Sequence, residues 1–255
     1  MSESAEALDW TGQPIVCAAC PHAGQAVCAP GKSCVNDRVA RRIERFFIDN
    51  WALADDCLEH PYFEVRALAG RYCSVFRLQR LANDPEPEPR ASAALRLPLP
   101  RALAMIADPD RRVRVALASR LKGQPQLDMA RDPDGWVRMV VARRLPPELL
   151  VVLANDVDSE VRRIVARRMI LSALPAMAGD PEPMVRLEVA ERLPPAQLHL
   201  LARDPDMRVR FTVAERIDVD SLDAFRDDPE SVIRELVAAR LASVDQEEET
   251  HEPGT

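Results

Sequence analysis

DPEPMVRLEVAERLPPAQLHLLAR, from Asp180 to Arg203, is one copy of a 24-residue unit that runs down most of the chain. Its leading Asp recurs as Asp84, Asp108, Asp132, Asp156, Asp180, Asp204 and Asp228, with no insertion between copies. Pro follows each of them except Asp156, where Val157 stands. The sixth position is Val or Ile in Val113, Val137, Val161, Val185, Val209 and Ile233. Carried back one period, His60-Pro61 with Val65-Arg66 makes an eighth copy whose first position is altered. Self-similarity at this period is the signature of a repeat architecture, in which each unit buries its apolar face only by stacking on its neighbours.

The unit reads as two rods. Asp is a good helix N-cap, and Pro directly after it suits the first helical position. Val185, Val189 and Leu193 stand at i, i+4 and i+8, one face of an α-helix. Leu193-Pro194-Pro195 ends that helix, because a residue before Pro is pushed out of the helical region. The remaining seven or so residues place Leu198 and Leu201 three apart, the spacing of a 3₁₀ turn. Ten α residues rise ~15 Å and seven 3₁₀ residues ~14 Å, so the rods match in length. Nothing alternates as a strand would. The expected fold is all-α, a solenoid of alternating α and 3₁₀ helices.

Two Arg ladders follow the period. Arg66, Arg90, Arg114, Arg138, Arg162, Arg186, Arg210 and Arg234 fill the seventh position, and Arg96, Arg120, Arg144, Arg168, Arg192, Arg216 and Arg240 the thirteenth. They pair with the Asp ladder and with helix C-terminal carbonyls, or they form a basic stripe for an acidic partner or phosphates. Residues 60–241 hold 29 Lys+Arg against 27 Asp+Glu, a balance that favours the structural role. Arg111-Arg112, Arg143-Arg144 and Arg167-Arg168 are looser clusters, better placed to meet a partner.

Ahead of the repeats lies CAACPHAGQAVCAPGKSC, with Cys17, Cys20, Cys28 and Cys34 spaced C-x₂-C-x₇-C-x₅-C. The N-terminus has no secretory pattern, no stretch is apolar over the ~18 residues of a membrane span, and a cytoplasmic location follows. There, four crowded thiols read as metal ligands rather than disulfides. Spacing alone leaves a [4Fe–4S] cluster, a structural Zn²⁺ and unligated thiols open. His22 is a substitute ligand that four cysteines make unnecessary. Cys57 and Cys73 fall in Leu positions of the repeat and read as core. Val35 to Trp51 reads as an amphipathic helix, with Val39, Ile43, Phe46 and Phe47 on its buried face, capping the first repeat. The expected domains are a cysteine module at 1–34, a capping helix and half-repeat at 35–59, eight repeats at 60–241 and a disordered acidic tail at 242–255.

The module and the unit D-P-x-x-x-V-R-x-x-V-A-x-R-L-P-P-x-x-L-x-x-L-A-x together resemble the leucine-rich-repeat variant proteins of nitrogen-fixing bacteria, over roughly residues 17–241. The resemblance implies a right-handed superhelix without strands, and a [4Fe–4S] cluster on Cys17, Cys20, Cys28 and Cys34. It implies no reaction, only genes that tend to lie near those for nitrogenase assembly. Val157, Pro89 and His60 depart from the pattern at capping and core positions and touch no ligand.

The leading function is a non-enzymatic iron–sulfur scaffold that holds a protein partner; the alternatives are an electron carrier and an Arg-ladder nucleic-acid binder. A net charge of −7 and an aromatic content of 4% count against nucleic acid. Catalysis has no support, since there is no Gly-rich phosphate loop, no C-x₃-C-x₂-C motif, and His199 stands away from acids. No small-molecule substrate is indicated.

Overall fold

The computed structural model describes residues 7–251, with side chains to residue 243. The chain divides into two compact units, Met1–Met129 and Ala130–Thr255. Among the described residues there are helices and no strands; isolated bridges join Leu8 to Pro14 and Ala29 to Ser33.

In the second unit most copies follow the two-rod reading; the helix Gly135–Ala142, at eight residues, and the 3₁₀ segment Leu174–Met177, at four, are shorter. Helices Ser159–Arg168, Pro183–Arg192 and Met207–Arg216 have ten residues each, and 3₁₀ segments Pro147–Leu153, Pro195–Leu201 and Val219–Phe225 have seven. Val185, Val189, Leu193 and Leu198 have no exposed surface, and Leu201 has 2%. Each such side chain contributes roughly 1.5–3 kcal/mol by leaving water. In the first unit, helices Phe63–Tyr72, Pro87–Arg96 and Arg111–Ala118 alternate with mixed segments. There a single α turn such as Val75–Leu78 or Leu99–Ala102 tightens into 3₁₀ over Gln79–Asn83 or Leu103–Met105.

The expected cap is displaced by two residues. The α-helices begin at the fourth position, and the N-cap is the third, occupied by Asp110, Asp134, Asp158 and Asp206. Asp206, for example, accepts the Arg208 amide at 2.8 Å. The leading Asp-Pro lies just outside the helix. Its carboxylate closes a local turn, as where Asp204 accepts the Asp206 amide at 2.8 Å, an Asx-type bond.

The same carboxylates receive the first Arg ladder. Arg186 reaches Asp204 through Nε at 2.6 Å and Nη2 at 2.8 Å, while its Nη1 donates to the carbonyls of Asp180 and Pro181. Arg66–Asp84, Arg90–Asp108, Arg138–Asp156, Arg162–Asp180 and Arg210–Asp228 repeat this geometry. The Arg210 guanidinium holds the Asp228 carboxyl below its ordinary range. The second ladder takes the C-terminal carbonyls of the preceding helix: Arg192 donates to Ala166 and Met169, and Arg216 to Ala190 and Leu193. Planar forks fixed at both ends make these Arg the repeat-to-repeat fasteners.

Two of the looser clusters are also engaged. Arg112 pairs with Glu88 and Asp110. Arg163 and Arg167 converge on Glu188, which is only 6% exposed. Arg143 and Arg144 remain exposed. The final helix runs Ser231–His251, so it continues past Leu241, where the last repeat was expected to stop and a disordered tail to begin. The acidic side chains expected in that tail lie outside the described residues.

Candidate metal centre

The capping helix is shorter than its sequence pattern. It spans Ala40–Asp49, here α1, with Val39 at the N-cap, 37% exposed, and Ile43, Phe46 and Phe47 buried. Asp37 explains the late start. Fully buried, it accepts the Val39 amide at 2.9 Å and the Arg42 guanidinium at 3.1 Å. The turn it closes holds residues 35–38 out of the helix.

The cysteines are set by turns packed against α1. Cys17 opens a 3₁₀ turn, Cys17–Ala19, and the Cys20 amide closes it on the Cys17 carbonyl at 3.1 Å. Cys20 itself is extended, at φ −78° and ψ 126°, where the chain leaves the turn. Gly31, at φ +78°, turns the chain between Ala29 and Ser33. That bridge sets Cys28 and Cys34, which flank it, beside one another. The Cys34 amide then donates to the Arg42 carbonyl on α1 at 3.2 Å.

Asn50 anchors the other end of the loop. Its Oδ1 accepts the Val27 amide at 2.7 Å, and its Nδ2 donates to the carbonyls of Val27 at 2.9 Å and Phe46 at 2.8 Å. Sequence reasoning passed over Asn50, because a single Asn after an amphipathic helix reads only as a C-terminal cap.

The four expected ligands lie in one neighbourhood. Burial and the nearby thiols of Cys20 and Cys17 raise the pKa of Cys28, and burial raises that of Cys34 to about 11, with Cys28 and Cys20 adding to it. Cys17 and Cys28 are exposed and Cys34 is buried. Among the described residues, no three His, Cys, Asp or Glu side chains converge tightly enough to hold one metal ion. The Ser33 hydroxyl, next to Cys34, is buried with no hydrogen-bond partner. A buried donor without an acceptor is costly, and a cluster sulfur or thiolate would supply that acceptor. Four neighbouring thiols with a spare buried donor are a set that fits an iron–sulfur group.

Cys57 and Cys73 are both 2% exposed, as Leu positions should be. Cys73 sits in the repeat core against Gly70 and Arg96. Cys57 has a further neighbour: its Sγ lies 3.5 Å from Nε2 of His22, whose ring packs on Phe46. Burial lifts the Cys57 thiol to about 12, with Asp56 and Cys20 adding to the effect. His22 therefore joins the module to the 3₁₀ segment Trp51–Cys57 just ahead of the first repeat.

His60, the altered first position, makes a second joint. Its Nδ1 accepts the Tyr62 amide at 3.1 Å, the bond that Asp makes elsewhere, and its Nε2 meets Asn36 Oδ1 at 3.1 Å. Trp10 stands edge-on to it at 4.7 Å. Burial, with the Arg66 charge as a further contribution, drops the His60 pKa to about 4.

Comparison with known proteins gives three findings. Residues 7–56 match the family model described as the LRV protein FeS4 cluster, a span that contains Cys17, Cys20, Cys28 and Cys34 and stops short of Cys57. An uncharacterized 27.7 kDa protein in the nifB 3′ region of Rhodobacter capsulatus is 52% identical over 105 residues, 40% of this chain and 43% of that protein. The chain thus spans less than half the length of that curated relative. A solved structure of a leucine-rich repeat variant with a novel repetitive structural motif superposes with a TM-score of 0.81 at 37% identity, over 89% of this chain and 98% of the other.

Proposed function

The chain belongs to the leucine-rich-repeat variant family, and from that premise we propose that it is an iron–sulfur scaffold whose repeats present the module to a protein partner, without catalysis of its own. The observation that carries this is the joining of module to repeats by the buried contact of His22 with Cys57 and the half-buried contact of His60 with Asn36. A module so fixed moves with the stack, as a presented group must. We assign a [4Fe–4S] cluster to Cys17, Cys20, Cys28 and Cys34. The thiols are close enough to perturb one another, and the span that matches the LRV protein FeS4 cluster model contains all four, which favours the cluster over Zn²⁺. When bound, the cluster supplies one-electron chemistry or a structural cross-link. Ser33 would donate its hydroxyl to a cluster sulfur, and Asn50 would hold the Cys28 side of the loop in place. The Rhodobacter capsulatus relative, in the nifB 3′ region, supports a link to nitrogen fixation.

An electron carrier is the second reading, favoured by Cys17 and Cys28 lying exposed, which would bring a cluster edge to the surface. Purification without oxygen tests the assignment. Brown protein with about four irons per chain is expected, lost on Cys17→Ala, Cys20→Ala, Cys28→Ala or Cys34→Ala and kept on Cys57→Ala and Cys73→Ala. A colourless protein with one zinc would overturn the cluster. Iron retained by Cys34→Ala but lost by Cys57→Ala would overturn the ligand set. Reversible reduction at a fixed potential would favour the carrier over the scaffold.

A further inference from the structure

The cysteine loop and α1 enclose an open cleft of about 1030 Å³. Cys28 and Ser33 line it on the loop side, and Arg41, Arg45 and Ile48 on the helix side. We propose that this cleft is the docking site for an acidic protein surface, one that presents carboxylates around an apolar side chain. The proposal deepens the scaffold reading by naming its partner's chemistry, and rests on it only for the role of the cluster.

Charge is the first argument. Apart from exposed Arg144, the ladder Arg described above are spent on Asp side chains and backbone carbonyls, which removes them as a recognition surface. The cleft differs. Arg42 is neutralised by buried Asp37, and Glu44 by Arg71 at 2.6 Å. Lys32, Arg41 and Arg45 are exposed and have no ion pair among the described residues, and Asp49 is the one acid left to oppose them. Three cations against one anion give a local positive surplus on a chain whose net charge is −7. Such a reversal steers a partner of opposite sign to one place.

The apolar surface is the second. Val27 is 71% exposed and Ile48 59%, both in the cleft wall, and Trp51, two residues past α1, is 67% exposed. Arg and Trp beside exposed aliphatic groups match the composition of protein interface centres. A nucleic-acid groove would instead align cations along a phosphate track, without an acid or aliphatic wall among them. Cys28 in the lining means that a protein seated here would face the cysteine module directly.

The test uses the full-length, anaerobically purified protein, with iron counted in every sample. Its probes are a labelled peptide alternating Glu and Leu, the Gln-for-Glu twin, and a short DNA duplex, followed by fluorescence anisotropy. The Glu peptide should bind, weaken with added salt, and lose about tenfold or more in affinity with Arg41→Glu/Arg45→Glu, or with Lys32→Glu. Ile48→Ser should weaken it at any salt concentration, whereas exposed Arg101→Glu should leave it unchanged. Equal binding of the Gln twin, tighter binding of DNA, no binding of the Glu peptide, or indifference to the Arg41 and Arg45 changes each overturn the proposal. A protein without iron that binds the Glu peptide as described upholds the docking site while the cluster assignment fails.

Discussion

Arg186→Ala removes one fastener from the middle of the second unit, and its cost can be worked from the contacts. Arg186 is 7% exposed and Asp204 6%. The substitution deletes two charge-assisted bonds to Asp204 and two bonds to the carbonyls of Asp180 and Pro181. It also leaves the Asp204 carboxylate with one remaining donor, the Asp206 amide. Breaking a buried pair by removing one partner costs about 3–5 kcal/mol. The carboxylate keeps that amide bond, so the low end, ~3 kcal/mol, is expected. A matched pair of apolar residues, Arg186→Met/Asp204→Leu, should cost less than the single change, because no charge is stranded. Urea unfolding followed by helical circular dichroism reads both, alongside Arg143→Ala as an exposed reference. A loss within about 0.5 kcal/mol for Arg186→Ala, the range of ordinary surface sites, would refute the fastener reading. So would a double variant less stable than the single one.

Val185→Asp places an unpaired carboxylate where no surface is exposed and should cost several kcal/mol, roughly, in the same assay; near-neutrality would put the helix register in error. Asn50→Ala deletes three bonds that hold the cysteine loop to α1, at about 1 kcal/mol each. Limited proteolysis should then cut between residues 21 and 33 faster than in the unaltered protein, with the repeats intact; an unchanged cleavage rate would rule out the anchor. His60 gives a pH dependence. Its folded pKa is about 4 against an ordinary 6.5, so between those values the unfolded chain binds the additional proton and stability falls as pH falls. The melting temperature of the first unit should decline from pH 6.5 toward 4 and lose that slope in His60→Asn; the same slope in both proteins would assign it to other groups.

Periodicity made the repeats legible, because a solenoid writes its contacts into one short unit and prints it many times. Val185, Leu193 and Leu198 could be placed in the core before any coordinates. The Arg ladders could be matched to carboxylates and carbonyls because both recur in register. The cap was misplaced by two residues for a physical reason: Asp204 and Asp206 are both good caps, and only the fold settles which one meets the helix. The module was less legible. Its four cysteines stood out by spacing, but nothing periodic pointed to Asn50 or Asp37, whose roles depend on which carbonyls and amides come near. Cys57 shows the limit most clearly. Its register marks a core position, and the structure keeps it there, yet the contact with His22 depends on where the module folds back.

The regular reach of the fasteners constrains how such a chain can change in length. Arg186 and Asp204 are 18 residues apart, and Arg192 lies 26 and 23 residues beyond the carbonyls it takes. Deleting or inserting a single residue within a copy would move a guanidinium off its carboxylate and rotate a core Val toward water at the same step. Adding or removing a whole 24-residue copy preserves every separation. Duplication in complete units is therefore the tolerated route to a longer or shorter surface, and the cysteine module, which meets the start of the stack through His22, Trp10 and His60, would stay as it is while that happened.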